Sequence, residues 1–370
     1  MVYSVDLSAA FDMLRKNTLV RIIEGDFSEG LRKVIYDFLS ERKCVISIDD
    51  EFSEEFDIDL GCVQGSVLGP KLFNLYTRDI PNYLTENAQI TAYADDAYVV
   101  ISAPEGSTTD LVNETERCII SHVNYLRTLG MMVNQSKTEI IHVSRTGKES
   151  TQVKVGNEVL ESKPTMNVLG IIMDGQLTWS EHIAKNINKL NRLTGALKFV
   201  RVRLTRDQFL QVLTSQYYST CYYGAPAWLG SHTRKMDIRK LNNLHYRLLR
   251  TAVCDWKHKI KTSREDLDRL GRARPSLWAY YISASTAIKI IRDDQPTRLN
   301  EHLLESIYCE DRSGRVKFYD RSRLKQGRQS FANRLRVVFE SINTPITFKE
   351  SNASLRIMLK RELGLNVRTK

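Results

Sequence analysis

Tyr93-Ala94-Asp95-Asp96 lies between two short apolar runs, Ile90-Thr91-Ala92 and Tyr98-Val99-Val100-Ile101. Two strand-like runs joined by so short a link predict a β-hairpin with two carboxylates at its tip. Adjacent acids at a turn repel each other, and water or a cation relieves the repulsion. Asp is a common turn residue, so most such pairs are simply solvated. A third acid changes the weighting: Asp6 ends another apolar run, Met1-Val2-Tyr3-Ser4-Val5. Three carboxylates at strand ends can hold two Mg²⁺ ions about 3.5–4 Å apart, the geometry that moves phosphoryl groups. Adjacent strand residues face opposite sides, so only one hairpin acid is expected to face Asp6 squarely. Asp95 is assigned that place and Asp96 an outer role.

Outward from the hairpin, strands and helices alternate. Residues 1–6 read as a strand, 11–25 as a helix by apolar spacing, and 29–39 as a helix capped by Ser28. Residues 44–48 and 52–58 predict a hairpin about Asp49-Asp50. Residues 61–70 form a Gly-rich loop, with a helix expected from there to about Leu84. An amphipathic helix over 108–129 follows, then strands at 139–143 and 167–173 and a hairpin at Gly156-Asn157. From Trp179 helices take over, at about 180–200, 206–222, 234–254 and 265–291. The fold class expected is α+β: a ferredoxin-like split β-α-β sheet over 1–175, an all-α region over 176–310, and a basic helical C-terminal region over 311–370.

Composition agrees with a folded, polyanion-handling protein. Of 370 residues, 42% are hydrophobic and 9% aromatic, which excludes a disordered chain. The net charge is +10, but residues 1–150 carry 14 basic and 24 acidic residues, and the remainder 40 and 20. An acidic first part followed by a basic second part suits a metal-dependent module joined to a nucleic-acid clamp; solvated helix faces explain the same charges equally well. Six cysteines include no Cys-x-x-Cys pair, so neither a zinc knuckle nor a redox dithiol is expected. Isolated thiols and no secretory signal point to an intracellular compartment, nuclear or cytoplasmic, and no run approaches the length of a membrane span.

Three motifs together carry a family resemblance. Val5-Asp6-Leu7-Ser8-Ala9-Ala10-Phe11-Asp12, Gly61-Cys62-Val63-Gln64-Gly65-Ser66-Val67-Leu68-Gly69-Pro70 and Tyr93-Ala94-Asp95-Asp96 resemble the palm motifs of reverse transcriptases. Gly130-Met131-Met132-Val133-Asn134 with Lys137-Thr138, and Leu169-Gly170-Ile171, match in order. Leu72-Phe73-Asn74-Leu75-Tyr76 draws the likeness towards jockey-like non-long-terminal-repeat retrotransposons. Each motif alone is weak; five in the right order are specific.

The resemblance implies an RNA-directed DNA polymerase with an RNA template, a DNA primer and deoxynucleoside triphosphates as partners. Asp6, Asp95 and Asp96 would hold two Mg²⁺ ions, with Mn²⁺ as a substitute. Phe11 would lie under the incoming sugar and exclude a 2′-hydroxyl; without the motif it reads as a core aromatic. Gln64, Gly65 and Tyr93 would line nucleotide and template. Lys137 would stand near the leaving pyrophosphate as a proton donor, or else as a solvated strand-start lysine. Leu169 and Gly170 would begin the primer grip. Lys185, Lys189, Arg192 and Lys198 recur at helical spacing, with Asn186 and Asn188 beside them and Arg201, Arg203 and Arg206 following, and would track a nucleic-acid backbone. Tyr217, Tyr218, Tyr222, Tyr223 and Trp228 read as core in preference to base-stacking platforms. His182, His245 and His258 share no ligand spacing.

The sequence starts almost on Asp6, so the family's fingers and endonuclease are expected to be missing, and Val63 stands where the family has proline. Two rivals follow: a catalytically inactive nucleic-acid-binding remnant, and a group II intron maturase-like splicing helper, against which the motif spacing argues.

Overall fold

A computed structural model describes residues 1–102, 107–144, 150–156, 158–229, 233–253, 263–268, 270, 274–293 and 352–363. The chain forms two compact units, one of Met1–Gly170 with Asp174–Gln176, the other of Ile171–Met173 with Leu177–Lys370.

The first unit is built on β1 (Val2–Ser8), whose alternation sends Tyr3 and Val5 into the core and leaves Ser4 and Asp6 half-exposed. Chain order then gives α1 (Lys16–Ile22), α2 (Glu29–Leu39), β2 (Arg42–Cys44), β3 (Ser47–Ile48), β4 (Glu51–Phe52), β5 (Phe56–Ile58) and α3 (Gly69–Tyr76). After these come β6 (Ala88–Tyr93), β7 (Asp96–Ile101), α4 (Thr108–Thr128) and β8 (Met132–Ile141). The main sheet is antiparallel with order β6-β7-β1-β8. Its first strand in sequence therefore lies between its third and fourth, as in a split β-α-β sheet. Tyr3, Val5, Val99 and Ile140 share a core with Leu72, Phe73 and Tyr76 of α3 and Ile119 and Leu126 of α4. Burying side chains of this size contributes about 1.5–3 kcal/mol each. α4 starts in a capping box of Ser107 and Asp110, and its His122 Nδ1 lies 3.2 Å from the Tyr3 hydroxyl.

Several elements differ from the sequence expectation; the strand expected over 139–143 begins at Met132, and the one expected over 167–173 is broken by a turn at Leu169 and Gly170. The helix over 11–25 divides into a 3₁₀ turn, Ala10–Met13, and α1. Leu14 and Arg15 between them are extended, because Gly61 N–H donates to Leu14 O at 2.8 Å and Arg15 bridges to Leu60. Tertiary pairing overrides a continuous apolar period there. The helix expected to reach Leu84 stops at Tyr76, and Ile80–Tyr83 closes as a 3₁₀ turn at Pro81, which lacks an N–H and disfavours α geometry before it. The hairpin about Asp49-Asp50 is two short ladders, β2 with β5 and β3 with β4, and both turn acids have positive φ, 49° and 68°.

The unit is completed by β9 (Gln152–Val155), paired antiparallel with β10 (Glu158–Glu161), and by β11 (Thr165–Val168), with β12 (Ile171–Asp174) following in the chain. Asn157 of the expected hairpin turn lies outside the described residues.

The second unit is helical: α5 (Ser180–Arg201), α6 (Arg206–Val212), a π turn at Leu213–Tyr218, α7 (Ser219–Tyr222), α8 (Ala225–Trp228), α9 (Lys235–Val253), α10 (Arg264–Asp268), α11 (Pro275–Asp293) and α12 (Asn352–Glu362). The helix read over 265–291 is thus α10 and α11. Tyr217, Tyr218 and Trp228 are buried in its core and Tyr222 packs against it, whereas Tyr223 is exposed. Leu355 and Leu359 of α12 are buried, and Lys360 lies over the Tyr281 ring. Apart from α12 and Leu363, the C-terminal region expected over 311–370 lies outside the described residues, as does His258. Among the described residues no helix is long and apolar enough to cross a membrane.

Candidate catalytic site

The hairpin linking β6 and β7 has a two-residue turn, Ala94-Asp95, closed by the pair Tyr93 and Asp96. Ala94 takes the left-handed conformation, φ 54°, that such tight turns require. Asp96 is therefore not at the tip but opens β7. Val5 faces Ala97 across the β1–β7 ladder, so Asp6 and Asp96 follow at one end of these paired strands, and the charge of Asp6 reaches the Asp96 carboxyl. The expectation that Asp95 faces Asp6 and Asp96 stands outside rests on strand alternation. Alternation applies to strand residues, and Asp95 belongs to the turn. Asp95 borders a small cavity lined also by Val5, Leu7, Ala97 and His122. The Asp96 carboxyl titrates above its usual range because of burial first, then the negative charges of Asp95 and Asp6.

Lys137 reaches the same acid through an irregular strand. Val2, Tyr3 and Ser4 face Ile141, Ile140 and Glu139 of β8, a register that would set Asp6 against Lys137. Instead Asp6 faces Asn134, so β8 bulges between. Lys137 Nζ lies 3.5 Å from Asp6 Oδ2. Bulges of this kind re-aim side chains beside functional sites.

The Gly-rich loop is latched to the residues after β1. Cys62 N–H donates to Phe11 O, and Arg42 Nη2 donates to Leu60 O and Gly61 O at 2.7 and 2.8 Å. Gly61 has φ +80°, and a Cβ there would come within 2.8 Å of Asp12 Cα. Gln64 Nε2 donates to Asp12 Oδ1 at 3.0 Å. Gly65, φ +78°, meets open space, so its need for glycine is conformational. Phe11 is half-buried and stacks on Phe73, 4.6 Å between centroids. Tyr93 is exposed.

Leu169 and Gly170 form a turn with φ 47° and 84°. Leu169 N–H donates to the Tyr98 hydroxyl at 3.3 Å, and that hydroxyl donates to Asn167 O at 3.4 Å. Tyr98 and Asp12 are the contributors that sequence reading missed. Tyr98 is two residues from Asp96 on β7 and so shares its face, which was the available signal.

In the second unit, Lys185, Lys189, Arg192 and Lys198 are all exposed along α5, while Asn186 is buried and leaves the stripe. Arg201 also leaves it, donating to Ala252 O and Leu204 O. His182 and His245 are buried, His245 Nδ1 lying 3.0 Å from the Tyr218 hydroxyl. Among the described residues no group of three or more His, Cys, Asp or Glu side chains is assembled for a metal ion.

The reverse transcriptase (RNA-dependent DNA polymerase) family model matches residues 1–173, the stretch that holds Asp6, Asp96 and Lys137. That stretch is thus similar to reverse-transcriptase domains. The RNA-directed DNA polymerase from mobile element jockey of Drosophila melanogaster is 25% identical over 277 residues, 71% of this chain and 29% of that protein. The probable RNA-directed DNA polymerase from transposon X-element of the same species is 22% identical, with the same shares covered. The chain spans about 29% of the length of these curated relatives. Among solved structures, apo telomerase from Candida tropicalis aligns over 81% of this chain and 52% of its own at 14% identity and a TM-score of 0.35, a likeness from which nothing further is drawn.

Proposed function

We propose that this chain is the polymerase part of a jockey-like non-long-terminal-repeat retrotransposon product and extends a DNA primer on an RNA template. The observation that carries the reading is the β1–β7 ladder, whose Val5–Ala97 pair brings Asp6 and Asp96 to one end of the sheet, inside the residues that match the reverse-transcriptase family. Burial first, then the charges of Asp95 and Asp6, raise the Asp96 carboxyl, and a divalent cation would relieve the like-charge part. The donors therefore fit Mg²⁺: Asp6 and Asp96 would hold it, with Asp95 as the third carboxylate. When bound, such ions activate a primer hydroxyl and neutralise charge on the triphosphate.

The chain's own residues supply the remainder. Lys137, held beside Asp6 by the β8 bulge, is a cation and proton donor for the leaving pyrophosphate. Phe11, braced on Phe73, gives a firm wall against a ribose 2′-hydroxyl. Gln64, oriented by Asp12, and Gly65 offer a close polar surface to nucleotide and template, and Tyr93 is exposed at the end of β6. The Leu169-Gly170 turn, tied to Tyr98, serves as primer grip. The helical second unit acts as thumb, with Lys185, Lys189, Arg192 and Lys198 on the duplex backbone.

Primer extension on poly(rA)/oligo(dT) with Mg²⁺, comparing the chain with Asp96→Asn, tests this. Extension by the wild type alone supports it. A second reading, a binding remnant without turnover, draws on the lack of an assembled three-carboxylate group among the described residues. Salt-sensitive duplex binding without extension would favour that reading instead.

A further inference from the structure

Along α9, Lys235, Ile238, Arg239, Asn242, Asn243 and Tyr246 recur at three- and four-residue steps and so share one face. Arg264, at the start of α10, and Arg274, just before α11, complete the walls of a cleft of about 430 Å³. Four cations line it and no carboxylate does. None of the four forms an ion pair among the described residues. Proteins rarely gather unpaired like charges around a concavity without an anion to receive.

The remaining lining narrows the ligand. The Arg264 guanidinium carbon lies over the Tyr246 ring, 5.4 Å from its centroid, within cation–π reach. Asn242 accepts from Ser276 N–H at 3.3 Å and donates to Ser276 Oγ at 3.2 Å, tying the cleft wall to the first turn of α11. The positive end of a 19-residue helix therefore adds to the field. Asn243 is exposed beside it. The stripe from 235 to 246 runs about 16 Å, longer than one phosphate. A concave basic groove about three turns of helix long, with an exposed amide at Asn243 and a guanidinium beside an aromatic ring, is chemistry that takes single strands, phosphates on the cations and a base against the guanidinium or the amide.

We propose that this cleft is a binding site for a single-stranded segment of nucleic acid. It is built from different residues than the α5 stripe, and it needs no turnover at Asp6 and Asp96.

Fluorescence anisotropy of a labelled 20-nucleotide oligo(rU) with the full chain tests the assignment. Lys235 and Arg239 are exposed, so Lys235→Glu/Arg239→Glu removes charge without opening the core. The expected result is affinity about tenfold lower or worse, with a salt slope shallower by about 1.4, from two contacts at roughly 0.7 each. Lys235→Arg/Arg239→Lys is expected to bind like the wild type. Asn243→Glu adds one charge at the mouth and is expected to weaken binding in the same direction; it keeps the test open if circular dichroism shows the double variant unfolded. Unchanged affinity and slope in the folded variants overturn the proposal. An equal loss on a blunt duplex overturns it as well. Tripolyphosphate competing as well as unlabelled oligo(rU), at equal phosphate, would make the cleft a simple anion site and also overturns it. Because the readout is binding, an inert polymerase site leaves it intact.

Discussion

The two units handle charge in opposite ways. The first gathers negative charge at one end of a sheet, where Asp6 and Asp96 follow the Val5–Ala97 pair. The second spreads positive charge along helix faces, on α5 and around the α9 cleft. A register is all-or-none, since a one-residue slip turns every side chain to the other face. A helical stripe is graded, and losing one lysine leaves the others in place. In the proposed reading, chemistry that needs fixed geometry is on the sheet, and affinity that needs only potential is on the helices. Both units nevertheless bury a neutral histidine against a tyrosine hydroxyl: His122 with Tyr3, and His245 with Tyr218.

The sharpest contrast is expected at the acids. Asp6→Asn and Asp96→Asn should each lower primer extension by about 10³-fold, a loss of about 4 kcal/mol of transition-state stabilisation. Without divalent metal, Asp96→Asn should raise the melting temperature by ~1–3 °C, because a like-charge contact is removed, and Asp6→Asn should gain less because it also gives up the Lys137 ion pair. A variant that loses activity together with stability would place the acids in the fold and not in the chemistry.

Acid should weaken both units. Burial lowers His122 to about 4; burial first, then Arg274, lowers His245 to about 3. The unfolded chain binds more protons below about pH 6.5, so stability falls as pH drops from there towards those values. The loss for His122 approaches ~3 kcal/mol once pH has fallen through its folded value. Urea denaturation at pH 7 and pH 4.5 measures it, and His122→Phe should flatten the dependence of the first unit alone. A pH-independent first unit would contradict the buried neutral imidazole.

Backbone geometry in the Gly-rich loop offers a smaller effect. Gly61→Ala meets both the positive φ and the Asp12 backbone, whereas Gly65→Ala meets only the positive φ. Costs of about 2–3 and about 1 kcal/mol are expected by urea denaturation. Equal costs would mean that the loop does not press on residues 11–14.

The smallest single effects belong to the helical unit. Lys185→Gln, Lys189→Gln, Arg192→Gln and Lys198→Gln should each make the salt slope of duplex binding shallower by about 1. A collapse of binding on any one substitution would show that the stripe is a specific site after all.

Much of the sheet was readable because its strands are short, alternating and bounded by motifs that name their ends. The arrangement of β6, β7, β1 and β8 follows from Asp6 and the 93–96 turn needing one neighbourhood. What was not readable depended on long-range pairing. Nothing local marks Leu14 and Arg15 as extended, since their apolar spacing continues the helix and the deciding bonds come from residues 60 and 61. The β8 bulge that brings Lys137 to Asp6 is equally invisible in composition. The choice between Asp95 and Asp96 turned on whether the hairpin turn holds two residues or more. The α9 cleft was missed because its cations come from two helices and the residue ahead of a third, and only the Lys235-to-Tyr246 face lies in one sequence window.

The convergence of Asp6 and Asp96 on one divalent ion is tested most directly by calorimetric titration of Mn²⁺ into the wild type, Asp6→Asn, Asp96→Asn and the double variant. Binding by the wild type, lost in each single variant and no weaker still in the double, is the predicted result. Single variants that bind Mn²⁺ as tightly as the wild type would contradict it.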